Sequence, residues 1–142
     1  MSEFDAANRA STERLERVIA RLGGRDLELG DGWTSSALLA HIAFWDRLAG
    51  ARWERRLDGR GEYPGMGIQH LELVNAASLP AWRALGPQAA ADEALHAARA
   101  FDETVAHIGE ADLTRAAVQS RTFVDRSGHR NTHLDAIERA LG

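Results

Sequence analysis

The chain contains no cysteine. That absence removes a disulfide framework, a thiolate zinc ligand and a cysteine nucleophile, so any thiol chemistry must use a thiol brought in by a small molecule. No run approaches the roughly 20 apolar residues of a membrane-spanning helix. Acids and bases are interspersed, the formal net charge is −4, and no basic block or stripe stands out, which argues against nucleic acid as the main partner. The opening "MSEFDAANRASTERLERVIARLGG" has no apolar signal-peptide core. A cytoplasmic protein with neither membrane nor nucleic-acid partners is the expectation. Strand-type alternation is scarce as well, and no internal repeat is visible.

Helical periodicity is what the sequence does contain. At 142 residues it suits one domain over 1–142, large enough to bury a core without staples. Phe4, Ser11, Leu15, Val18 and Leu22 share one helical face, and Gly23-Gly24 is a natural stop. A second helix starts at Thr34 or Ser35 and ends near Leu57, with Leu38, Ile42, Trp45 and Ala49 as its stripe. "DGRGEYPGMG" then breaks the chain, and a short helix over 68–77 follows, with Leu71 and Val74 on its apolar side. "SLPAWRALG" reads as a connector. Pro87 suits the first turn of a third long helix, which continues to about Ile108 with Leu95, Ala98, Phe101 and Val105 inward. "GEADLTRAAVQSR" shows no clear period. A last helix carries Leu134, Ile137 and Leu141. Four long amphipathic helices imply an all-α four-helix bundle.

The six histidines separate by face. On the second helix His41 lies within roughly 40° of the inward stripe. On the last helix His129 and His133 are one turn apart, about 6 Å along the axis, at the flank of the apolar stripe. His96 and His107 fall opposite the buried face of the third long helix, and His70 lies to the side of its short helix. Three histidines are therefore candidates for the interior. Imidazoles converging from separate helices could ligate one ion and leave a coordination position open. The bland reading is a pair of half-exposed histidines on a short helix, with His41 a hydrogen-bonded core residue. Helical spacing alone leaves both readings standing.

"WTSSALLAHIAFWDRL" resembles the second helix of the DinB-like (YfiT-like) metal-binding four-helix bundles, and "HRNTHLDAIERAL" resembles their closing HxxxH helix. That superfamily includes the metal-binding domain of mycothiol-dependent maleylpyruvate isomerases and the bacillithiol transferases. "LGPQAAADEALHAARAFDETVAHIGEADL" is similar in pattern to the third long helix and the turn after it. The likeness covers most of the chain, is strongest at His41 to Asp46 and at His129 to Ile137, and is weak between Gly59 and Ala84. It implies an up-down-down-up bundle, with a long connection holding the short helix between helices two and three. It also implies a homodimer, and His41, His129 and His133 holding a divalent metal (zinc, nickel or iron). The activity it suggests is thiol-dependent transfer or isomerisation, with a low-molecular-weight thiol as co-substrate. Gly128, directly before His129, admits two arrangements: a helix running through it, or one starting at Asp125 or Ser127 as N-cap, with His129 in its first turn.

Three further residues are candidates for contacting a small-molecule substrate. Trp45 should sit close to His41. Asn75 lies beside Leu71 on the apolar side of its helix, and its bland role is to satisfy a backbone group. Arg52 continues the inward face of the second helix and suits a carboxylate, the bland alternative being a stem on the core edge with its head in water. Tyr63 lies in a loop near a possible site mouth. Asp46 sits well off the inward stripe, which leaves a metal-dependent hydrolase without an obvious general base. Glu93 and His96 form a single ExxH, short of the paired set that a di-iron site needs. The competing functions are a non-catalytic small-ligand or metal-binding stress protein, and a structural dimer whose site has decayed.

Overall fold

In the computed structural model, which describes residues 1–61 and 65–142, the chain is an all-α helical bundle. Helix α1 spans Glu3–Leu22, α2 Ser35–Leu57, α3 Ile68–Ala84, α4 Pro87–Ala106, α5 Glu110–Gln119 and α6 Ser127–Leu141. A short hairpin, β1 (Glu28–Gly30) and β2 (Trp33–Thr34), precedes α2, and a 3₁₀ turn at Arg121–Phe123 precedes α6. The long helices α1, α2, α4 and α6 make the bundle: α1 and α2 each pack against both α4 and α6. No helix of the described residues is long and apolar enough to cross a membrane. Tyr63 lies outside the described residues.

Local chemistry explains the helix ends. Ser2 Oγ accepts from the Asp5 backbone N–H while Asp5 accepts from the Ser2 N–H, a reciprocal cap that starts α1. Gly23 takes a left-handed conformation at φ 56° and stops it. Thr34 caps α2 through its hydroxyl, and Pro87 opens α4, where its missing N–H costs nothing. The buried faces of α1 and α4 follow the apolar periods of the sequence. On α4 that face is largely alanine, from Ala90 to Ala98, and small side chains let α2 pack closely against it.

Three segments depart from the sequence reading. "SLPAWRALG" is not a connector: α3 continues through Pro80 to Ala84. Pro80 removes one helical hydrogen bond, but Trp82 anchors the last turn, buried against Trp33, Phe44 and His41. "EADLTRAAVQ", which showed no clear period, forms α5, which buries Leu113 and Ala116. The hairpin turns on Asp31 and Gly32, both at positive φ, a two-residue reversal that needs little strand sequence. It places Trp33 against His41.

The core has two apolar parts. One gathers Leu15, Val18, Leu38, Ile42, Ala94, Leu134 and Ile137, and the other Phe4, Ala49, Trp53, Phe101, Val105, Leu113 and Phe123. Between them lies a polar layer to which each bundle helix contributes: buried Asn8, Ser11 and Thr12 from α1, Asp46 from α2 and Arg130 from α6, with partly buried Asp102 from α4. Arg130 is fully buried. It donates to Asp46, Ser11, Thr12 and the carbonyls of Asn8 and Ala98, and pairs with Asp102 at 3.0 Å. A buried guanidinium is tolerated only when its donors are met in this way.

Candidate metal centre

α6 begins at Ser127, whose N–H and hydroxyl both donate to Asp125 Oδ1. His129 is therefore in the first turn, as in the second of the two arrangements, but the residue at the cap position is Arg126 rather than Asp125 or Ser127. His133 follows one turn later on the same side, facing His41 of α2. His41 Nε2 lies 3.1 Å from Nε2 of His129 and 3.1 Å from Nε2 of His133. The donor atoms of the three side chains all lie within 4.8 Å of one another, and the group could hold a metal ion.

The spacing suits ligation better than hydrogen bonding. An Nε2 atom carries either one proton or one lone pair in the ring plane, so His41 can form one good hydrogen bond there, not two. Two nitrogens on one tetrahedral ion at about 2.0–2.1 Å stand roughly 3.3 Å apart, close to what is found. Three imidazoles suit zinc, nickel or ferrous iron and leave a coordination position open. Among the described residues, Nδ1 of His41 and of His129 is buried with no hydrogen-bond partner.

Electrostatics keep the rings neutral. Burial, joined by His133 and Arg126, pushes the His41 imidazole down to about 3. Burial first and Arg126 next hold His129 and His133 below the ordinary histidine range. A neutral ring keeps a lone pair available, so protons compete weakly for the site. Three tryptophans surround His41, with ring centroids 5.4 Å (Trp33), 5.3 Å (Trp82) and 6.4 Å (Trp45) away.

The triad lies in the wall of a cavity of about 1010 Å³. Trp45, Asn75 and Arg52 line the same cavity, so the structure gathers all six candidate residues around one space. Trp45 Nε1–H donates to Asn75 Oδ1 at 2.9 Å, and the Arg52 guanidinium sits 4.5 Å above the Phe123 ring. His70, His96 and His107 are exposed.

Asp46 corrects the sequence reading. It is fully buried, accepting from Arg126 Nε at 3.0 Å and Arg130 Nε at 2.8 Å. It follows Ile42 by four residues, and α2 is covered on several sides, by α3, α4 and α6, so its inward surface is wider than one stripe. Arg126 and Arg130 escaped the sequence reading entirely. Their signal was present in "RSGHRNTH", where two arginines four apart interleave with two histidines four apart. No family model, no curated protein and no solved structure matches this chain.

Proposed function

We propose that this chain is a DinB-like divalent-metal protein in which His41, His129 and His133 hold one zinc, nickel or iron ion. We further propose that it works as a thiol-dependent transferase or isomerase, cytoplasmic and homodimeric. The observation that carries this reading is the convergence of three neutral imidazoles, from two helices, at the wall of a cavity. A divalent ion held by these three histidines would supply Lewis acidity and lower the pKa of a thiol that it bound.

The chain's own residues set the conditions for that chemistry. With no cysteine present, the thiol comes from a small-molecule co-substrate, and the cavity has room for one. Trp33 and Trp82 cover His41 on the core side and keep water from that flank. Trp45 Nε1–H holds the Asn75 amide by its oxygen at the cavity wall. Asp46 is committed to two arginines and is not a general base, which weighs against a hydrolase.

The test is elemental analysis of the wild type, purified without a metal-affinity tag, beside His41→Ala and His133→Ala. One ion per wild-type chain, lost in both folded variants, supports the site; equal metal content in all three refutes it. Turnover of a thiol with an electrophile by the loaded protein supports the transferase reading. Metal uptake with no turnover on a panel of such pairs leaves a sequestering protein instead.

A further inference from the structure

The cavity wall holds a cation that the triad does not use. Arg126, the residue just before α6, lines the same cavity as the three histidines and is 7% exposed. Its Nε donates to Asp46 Oδ1 at 3.0 Å and its Nη1 to the Thr122 carbonyl at 3.4 Å. Nη2 makes no hydrogen bond among the described residues and is not sealed from solvent. The other oxygen of Asp46 is taken by Arg130, so Arg126 shares its counter-ion. Burial acts on the guanidinium more strongly than any other influence and Asp46 opposes it, yet an arginine stays charged at neutral pH.

We propose that the ligand of this cavity is a small organic carboxylate, with its carboxylate on the Nη2 edge of Arg126 and its hydrocarbon part against Leu48, Ile68 and Leu71. Arg126 is thus a specificity-determining residue. A planar guanidinium edge matches a planar carboxylate. The apolar side of the lining suits a carbon skeleton better than a bare inorganic anion. The inference rests on the metal-site reading only in sharing its cavity, and the two can fail separately.

The experiment is a ¹⁵N NMR titration of the whole chain, metal-free and zinc-loaded, with sodium butyrate and with the uncharged isostere butyramide. The Arg126 Nε–H signal is assigned by its loss in Arg126→Lys. Butyrate should bind at least tenfold more tightly than butyramide in both forms and should shift the Arg126 signal. Arg126→Met should abolish the preference, while Arg126→Lys keeps part of it. Should Arg126→Met fail to fold, the wild-type comparison decides alone. Equal affinities, or a butyrate response that leaves the Arg126 signal in place, overturn the proposal. Zinc uptake with an unmoved Arg126 sinks this inference and spares the metal reading; a butyrate response at Arg126 without zinc uptake does the reverse.

Discussion

Asp46 Oδ2 accepts a 2.8 Å hydrogen bond from Arg130 Nε, and both side chains are fully buried. Asp46 is five residues beyond His41, and Arg130 stands between His129 and His133 in sequence, so the pair sets how α2 and α6 meet where the imidazoles converge. Removing the carboxylate charge leaves Arg126 and Arg130 underpaired in the core. Asp46→Asn is expected to cost about 3–5 kcal/mol, the range for breaking a buried ion pair from one side. Urea denaturation followed by circular dichroism measures it, and a loss below about 1 kcal/mol would show that the pair does not hold the helices.

Much of the bundle was legible because it rests on periodicity. Leu15, Val18 and Leu22, or Phe101 and Val105, are spaced to one face and lie buried there. His41 could be placed for the same reason, since its neighbours Leu38 and Ile42 mark the inward side. The polar layer was not legible. Asn8, Asp46 and Arg130 are residue types that a hydrophobic pattern assigns to solvent, and only partners distant in sequence make their burial tolerable. Pro80 misled for a related reason: a local breaker was overruled by Trp82, whose contacts come from the hairpin and from α2.

Metal should stabilise the folded chain, because the site needs α2 and α6 in place and the unfolded chain lacks it. At a free zinc concentration one hundred times the dissociation constant, the gain is about 2.7 kcal/mol. Thermal unfolding with and without zinc should show a raised midpoint in the wild type and none in His41→Ala. Cobalt(II) provides a second signal, since Trp33 and Trp82 lie against His41 and their fluorescence should be quenched on uptake. Unaltered fluorescence and an unmoved midpoint together would count against the site.

The metal-free protein should lose stability as pH falls below the ordinary histidine range. In the unfolded chain the three imidazoles titrate near 6.5, whereas His41 in the fold is pushed down to about 3 and the other two are also lowered. Between those values the unfolded state binds more protons, so stability is fully present above about pH 6.5 and drains away as pH drops. Each histidine held neutral contributes a slope of about 1.4 kcal/mol per pH unit. Asp102, raised by burial, works the other way, gaining stability as pH falls. Urea midpoints between pH 7.5 and 5 test this, with His41→Leu expected to flatten the slope relative to the wild type. Parallel slopes would mean that His41 is protonated as readily in the fold as out of it.

Gly128 is the second residue of α6, directly before His129, and its backbone is not in the left-handed region. A Cβ built on it meets nothing within 4 Å. The glycine therefore serves no close approach, and its main effect is to leave the unfolded chain more freedom to lose. Gly128→Ala is expected to stabilise the protein by about 0.4–1 kcal/mol. Because the added methyl group stiffens the turn that aims His129, zinc affinity should hold or rise. Urea denaturation and a zinc titration of the same variant check both parts. Greater stability with weaker zinc binding would mean that His129 has to swing to reach the ion, and that the flexibility at Gly128 belongs to the site rather than to the helix.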